Sequence, residues 1–324
     1  IIIITILLLL SACSAAIFLT QNPAATVTET SALTSPYILS TEITPSAEQP
    51  SQTDSAQTAE KPGAGQLTAH FINVGQGDCE FIELPNNETM LIDAGDSGSG
   101  PEITAYIKNL GYDTINYLVA THPHADHIGG MSYVIKNLNI IHMYMPKKST
   151  NTKTFENLLQ TILDMNISVE KAESGTEILN IGNLKIGILA PDSEAYKNLN
   201  NYSAVIKMDY KNTSFLFMGD AEKETEVKLQ DEDVQADVLK VGHHGSDTSS
   251  TTAFLEKVSP KYAIISCGKN NKYGHPDSTV LQNLESIGSA VLRTDQLGTI
   301  IIRSDGTLLT QLSVSYTHLR AHET

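Results

Sequence analysis

From Leu67 to residue 312 the chain alternates short apolar runs with segments of helical period, each ending in a polar or glycine-rich break. "LTAHFINVGQGDCEFIEL" predicts two strands around a glycine-rich turn. "TMLIDAG" predicts a buried strand ending in Asp93, and "EITAYIKNLG" a helix closed by Gly111. The strand "INYLVATH" runs straight into "THPHADHIGG" and the helix "GMSYVIKNL", and "TKTFENLLQTILDMN" has helical period. "LKIGILAP", "SAVIKMDY" and "TSFLFMGD" read as strands, and "AEKETEVKLQD" as a charged helix face. Next come "ADVLKVGHHGS", the helix "TTAFLEKVS", the strand "KYAIISCG" and the helix "STVLQNLESIG". The strands "AVLRTD", "GTIIIRSDG" and "LLTQLSV" close the domain. Strands cluster while helices punctuate both halves, which predicts an α/β or α+β chain with two sheets inside helices.

The flanks do not share this pattern. Residues 1–13, "IIIITILLLLSAC", form an apolar run ending in small residues, as in a secretory signal, and are too short for a membrane span. "LSAC" resembles the lipobox of bacterial lipoproteins, which makes Cys13 the lipidation site of an exported, lipid-anchored or secreted protein. Residues 14–65 are rich in Thr, Ser, Ala, Pro and Gln and show no sustained apolar period, so they predict a disordered tether. Residues 66–312 form the folded domain. Residues 313–324, "SVSYTHLRAHET", read as a non-native tail, and His318 and His322 are set aside with it.

Composition narrows the function classes. The 324 residues are 40% hydrophobic and carry a net charge of -16, which disfavours a broad nucleic-acid grip. Three cysteines form no C-x-x-C pair, which argues against a thiolate zinc knuckle; Cys79 and Cys267 read as small buried residues.

Four ionisable groups in six residues follow one buried strand. On an extended segment residues two apart point the same way, so His122 and His124 can face one ion. Asp126 and His127 come as the chain turns toward a helix, and Gly129 and Gly130 let that helix pack closely. Such adjacent clusters suit two divalent cations. Asp220, at the end of "FLFMGD", places a carboxylate where it could bridge them. His243 and His244 follow another buried strand; one of them completes the second site, and strand-end placement favours His243, with His244 behind it or on substrate. Asp93 is expected to orient a ligand imidazole.

"THPHADH", followed by "MGD" and a later strand-end histidine, matches the signature of the metallo-β-lactamase superfamily. The longer set "FINVGQGDCEFIEL", "LIDAGD", "THPHADHIGG", "NNYSAVIKM", "FLFMGDAE", "ADVLKVGHHGSDTSS" and "NKYGHP" resembles the metallohydrolase domain of the ComEC competence-protein family, from about Leu67 to Leu312. The resemblance implies a four-layer αββα sandwich with the site at one edge between the sheets. It also implies His122 and His124 on a first metal, Asp126 and His127 on a second, and Asp220 bridging. One departure stands out. The further first-metal histidine found in many members has no match here: His142 falls too early and reads as structural, and the matching region is "LNNYSAV", with Asn201 or Ser203 nearby. Zinc or manganese are the expected ions.

Metal-activated water serves carbonyl and phosphoryl hydrolysis alike. Two loops favour an anionic ester. "HHGSDTSSTTAF" offers Ser246, Thr248, Ser249 and a helix N-terminus, while "GKNNKYGHPDS" brings Lys269, Lys272 and His275. His275 is expected to protonate a leaving oxygen or bind phosphate, with Asp126 as the other catalytic group. The expected activity is a metal-dependent phosphodiesterase at the cell exterior; the ComEC-type resemblance implies DNA, single-stranded rather than duplex, as one substrate, with another small phosphodiester as the alternative. The alternatives are another esterase of the superfamily (phosphorylcholine esterase, thioesterase or lactamase) or a non-catalytic surface binding module. The membrane is the expected partner besides substrate, and no protein partner is inferable.

Overall fold

The structure, a computed structural model, describes residues 65–192 and 195–312. Cys13 and the rest of the expected signal segment, the tether up to residue 64, and the tail lie outside the described residues.

One sheet contains β1 (Leu67–Phe71), β2 (Glu80–Glu83), β3 (Thr89–Ile92), β4 (Thr114–Val119), β5 (Asn139–Met145) and β6 (Val169–Lys171). A second contains β7 (Glu177–Ile181), β8 (Leu184–Ala190), β9 (Val205–Tyr210), β10 (Thr213–Phe217), β11 (Val238–Lys240), β12 (Tyr262–Ile265) and β13 (Ala290–Arg293). The chain then returns to the first sheet with β14 (Ile300–Ser304) and β15 (Leu309–Leu312). The orders are β15-β14-β1-β2-β3-β4-β5-β6 and β13-β12-β11-β10-β9-β8-β7. Pairing is antiparallel from β15 to β3 and parallel from β3 to β6; in the second sheet β7 to β10 are antiparallel and β10 to β13 parallel. β6 and β7 are additions to the sequence reading. Val169–Lys171 is exposed throughout and Glu177–Ile181 largely so, and neither shows an apolar alternation that would mark it as a strand.

The period-2 alternation sorts side chains into layers. Leu67, Ala69 and Phe71 of β1 face the second sheet and pack with Ile206, Met208, Phe215 and Phe217. Phe81, Leu91 and Leu118 point the other way, onto Ile103 and Ile107 of α1 (Gly100–Asn109). After the short α2 (Ala125–Ile128), α3 (Met131–Asn137), which packs directly on α1, and α4 (Lys153–Asp164) add Met131, Val134 and Leu158 to this layer. On the far side of the second sheet, beyond α5 (Lys223–Lys228), Leu216, Leu239 and Ala263 meet Phe254 of α6 (Thr252–Val258) and Leu284 of α7 (Ser278–Ser286). A last turn, α8 (Thr294–Leu297), leads to β14. Three apolar layers separated by two sheets make the expected αββα sandwich.

This topology prepares a site. β3 and β4 run parallel in one sheet and β10 and β11 in the other, so the loops after all four strands gather the polar residues Asp93, Thr121–His127, Asp220 and His243–His244. The turn through α2 needs its glycines for space. A Cβ on Gly130 would lie 2.2 Å from the Ala94 carbonyl oxygen, and one on Gly129 2.4 Å from the backbone at Asp96 and Ser97.

Candidate metal centre

The four residues after β4 sort into two groups about Asp220. In the first, His122 Nε2 lies 2.9 Å from His124 Nδ1 and 3.7 Å from Asp220 Oδ2. In the second, His244 Nε2 lies 3.4 Å from Asp126 Oδ2 and 3.4 Å from Asp220 Oδ1, and His127 Nε2 lies 3.2 Å from the same Asp220 oxygen. Each carboxylate oxygen of Asp220 thus serves a different group.

The backs of these rings are tied to the fold. His127 Nδ1 donates to Asp93 Oδ2 at 2.7 Å, and Asp93 also accepts from the Thr121 backbone at 2.8 Å and hydroxyl at 2.6 Å. His244 Nδ1 donates to the Ser266 carbonyl at 3.0 Å. Ser203 Oγ sits 3.3 Å from His122 Nδ1 and accepts the Asp220 N–H at 3.0 Å, so it braces both. Asn201, the other residue expected near the first site, turns away: its amide binds Glu222 and Thr225.

Several buried atoms at the centre have no hydrogen-bond partner among the described residues: His127 Nε2, His244 Nε2 and Asp220 Oδ1. Orphaned buried polar atoms are costly, and these three face one another. Ligands 2.0–2.1 Å from one ion at tetrahedral angles sit about 3.3 Å apart, close to the spacings here. The residues therefore fit a pair of divalent cations, His122, His124 and Asp220 on one side and Asp126, His127, His244 and Asp220 on the other.

Charge balance at the centre follows from burial. Burial works against the charged forms of His127 and His244, but the Asp220 carboxylate, with Asp93 for one and Asp78 for the other, holds His127 well above the usual imidazole range and His244 up at about 10. Burial, followed by the charge of His127, pushes His122 well below that range. Asp220 resists its own burial and stays far below the ordinary carboxylate value because His127 and His244 flank it. Burial also opposes the charge of Asp126, but the neighbouring His244 and His127 rings hold its carboxyl low.

The structure corrects the order of the two strand-end histidines. In the turn Gly242–Gly245 both have positive φ, 48° at His243 and 54° at His244. That turn sends the His244 ring inward, where it is 2% exposed, and leaves His243 on the flank. His243 Nδ1 lies 2.9 Å from Thr248 Oγ1 and 3.3 Å from Glu222 Oε1, and its Nε2 is 3.8 Å from Asp220 Oδ2. A second correction concerns the helix N-terminus after the His243–His244 loop. The Glu226 carboxylate accepts from the Ser250 and Thr251 backbones and from the Thr251 hydroxyl, so the start of α6 already holds an anion. Ser246 turns its hydroxyl into the loop, accepting from Thr248.

His275 stands over the opening. Its ring lies 5.5 Å from His243 and 6.3 Å from His244, and its Nδ1 has no protein partner. Burial and then the nearby His243 and His244 lower its pKa. Beside it a cleft of about 620 Å³ is lined by Lys269, Asn271, Arg293 and Gln296. Lys272 is exposed, its ammonium 5.1 Å from the Tyr273 ring centre. His142 lies elsewhere on the first sheet, paired with Glu170 and stacked on Tyr117.

Sequence reading missed two residues. Asp78, in the turn after β1, and Lys240, at the end of β11, are both buried, and Lys240 Nζ donates to Asp78 Oδ2 at 2.6 Å. Lys240 carried a usable signal, a lone cation inside the apolar run "ADVLKVG".

Comparison with known proteins agrees with this geometry. A family model described as metallo-beta-lactamase superfamily matches residues 72–269. ComE operon protein 3 of Bacillus subtilis is 34% identical over 252 residues, 72% of this chain and 32% of that protein. Recombination protein 2 of Haemophilus influenzae is 30% identical over 234 residues, 71% of this chain and 28% of that protein. The chain thus spans about a third of the length of these curated relatives. Among solved structures, the metallo-beta-lactamase fold protein YhfI from Bacillus subtilis aligns with a TM-score of 0.50 at 8% identity, over 74% of this chain and 100% of that one. CmlA, a diiron beta-hydroxylase from Streptomyces venezuelae, aligns with a TM-score of 0.50 at 14% identity, over 76% and 54%. Those structural likenesses establish the fold alone, whereas the family match reaches across both halves of the site: the chain belongs to the metallo-β-lactamase superfamily of hydrolases.

Proposed function

We propose that this chain hydrolyses phosphodiesters at the cell exterior, single-stranded DNA among them, with water activated by two divalent cations. The observation that carries the reading is Asp220, whose two oxygens face two separate groups of histidine and carboxylate atoms, the second of them holding buried atoms without a hydrogen-bond partner among the described residues. When bound there, divalent zinc or manganese would lower the pKa of water from about 16 to about 7 and offset charge growing on a substrate oxygen. The protein's own groups do the rest. Asp93 and Ser203 fix the rings of His127 and His122, and Asp126, its side chain 34% exposed, is the carboxylate nearest solvent. His275 offers its ring as a hydrogen-bonding group for the leaving oxygen. Lys269 lines the cleft beside His275 and Lys272 is exposed on the same loop, positive charge in an acidic protein that favours an anionic ester over a neutral one.

The name of the recombination relative supports DNA as one substrate, and the apolar run with Cys13 supports export and lipid anchoring. Hydrolysis should be measured on single-stranded DNA, cyclic dinucleotides, phosphorylcholine esters, a β-lactam and bis(p-nitrophenyl) phosphate. The expected result is metal-stimulated turnover of the phosphodiesters, abolished in His124→Ala/Asp126→Ala. Full turnover in that variant, or turnover of the β-lactam alone, would refute the reading. Palmitate labelling lost in Cys13→Ser supports the anchor; equal labelling of both proteins removes it.

A further inference from the structure

Lys240 and Asp78 form a charged pair in the interior, where apolar side chains of equal volume would usually serve stability as well or better. The pair joins the two sheets. Lys240 ends β11 in the second sheet, and Asp78 belongs to the turn between β1 and β2 in the first. Lys240 also donates to the Val241 carbonyl at 3.0 Å, the peptide that leads into the His243–His244 turn.

The two oxygens of Asp78 face different ways. Oδ2 takes the ammonium; Oδ1 lies 3.2 Å from His244 Nδ1, to one side of the bond that this nitrogen makes to Ser266. Oδ1 has no hydrogen-bond partner among the described residues. A buried negative charge at the back of an imidazole makes the ring a stronger donor at its front nitrogen. That front nitrogen is His244 Nε2, the atom shared with Asp126 and Asp220. Asp78 is near enough to Asp93, His127, Asp220 and His244 to be taken for a ligand itself. The ammonium on Oδ2 argues against that, since it would repel a cation there. His127 Nδ1, 4.0 Å from the same oxygen, is already engaged by Asp93.

We infer that Asp78, held by Lys240 across the sheets, is a positioning residue: it aims His244 and strengthens it as a donor to the second cation. This rests on the cation-site reading of His244. The pair marks where the second sheet's contribution to the centre is locked to the first.

Isothermal titration with zinc alone and with manganese alone tests it, in wild type, Asp78→Asn and Asp78→Asn/Lys240→Met. The double variant removes both charges together and avoids leaving a buried ammonium unpaired. The expected result is unchanged stoichiometry, a 10- to 100-fold weaker second step in both variants, and a melting temperature near wild type in the double variant. Loss of one equivalent per chain would make Asp78 a ligand and overturn the inference. Wild-type affinity in the double variant would overturn it as well, as would failure of that variant to fold, which would make the pair a scaffold element. If wild type itself binds neither metal, the underlying reading has failed; a defect confined to the variants cannot be confused with that.

Discussion

Lys240 Nζ reaches Asp78 Oδ2 at 2.6 Å from the opposite sheet, so the two halves of the catalytic rim are connected by a buried charge pair. Burial opposes both charges. It is outweighed for Asp78 by Lys240 and His244, which keep the carboxyl below its ordinary range, and for Lys240 by Asp78 and Glu80, which keep the amine above its own. The rim is thus assembled by interactions between the sheets as well as by the loops that carry the ligands.

The close packing behind α2 should be intolerant of a single methyl group. Gly130 has ordinary backbone angles, φ -80° and ψ -15°, so its requirement is space: the added Cβ would meet the Ala94 carbonyl oxygen. Gly130→Ala should cost about 1–3 kcal/mol in urea unfolding, the range of overpacked interiors. A loss below about 0.5 kcal/mol would show that the loop relaxes freely.

Glu226 ties α5 to the start of α6 and gives a pH signature. Burial raises its pKa above the ordinary 4.5, against the bonds from Thr251 and Ser250 and the charge of Lys223. The folded state therefore holds this proton more tightly than the unfolded state. Its contribution is fully present below the unfolded value near 4.5 and is lost as pH rises through the folded value. Glu226→Gln removes the titration, so the stability of wild type relative to this variant should fall as pH rises above about 4.5. A difference that is flat or rises with pH would contradict the assignment.

Lys272 tests the substrate class through charge. Lys272→Glu should raise KM for oligonucleotides about 3- to 10-fold, as expected for reversing one exposed charge near an anion, with a smaller effect on a neutral ester. Equal effects on both would remove Lys272 from the substrate path.

Most of the sandwich was legible because its strands have interior faces. β1 alternates apolar and polar residues, β8 alternates in burial as well, and β3 and β4 lead into the residues that matter. β6 and β7 were not legible, since edge strands with exposed side chains leave no apolar period. The grouping of His122, His124, Asp126 and His127 followed from their spacing after one strand. The choice between His243 and His244 did not, because it depends on two consecutive residues adopting positive φ, which spacing cannot reveal. Asp78 escaped for a related reason: its meaning depends on a partner 162 residues away. The start of α6 looked available for phosphate until Glu226, from another helix, was seen to fill it.

Asp220, proposed as the carboxylate common to two cation positions, is the residue whose loss should disturb both. Zinc and manganese binding to wild type and Asp220→Asn should be counted by equilibrium dialysis and followed by bis(p-nitrophenyl) phosphate hydrolysis. The expected result is two equivalents per wild-type chain, both steps weakened at least about 10- to 100-fold in the variant, and hydrolysis falling with them. Two equivalents at wild-type affinity in Asp220→Asn, with turnover retained, would contradict it.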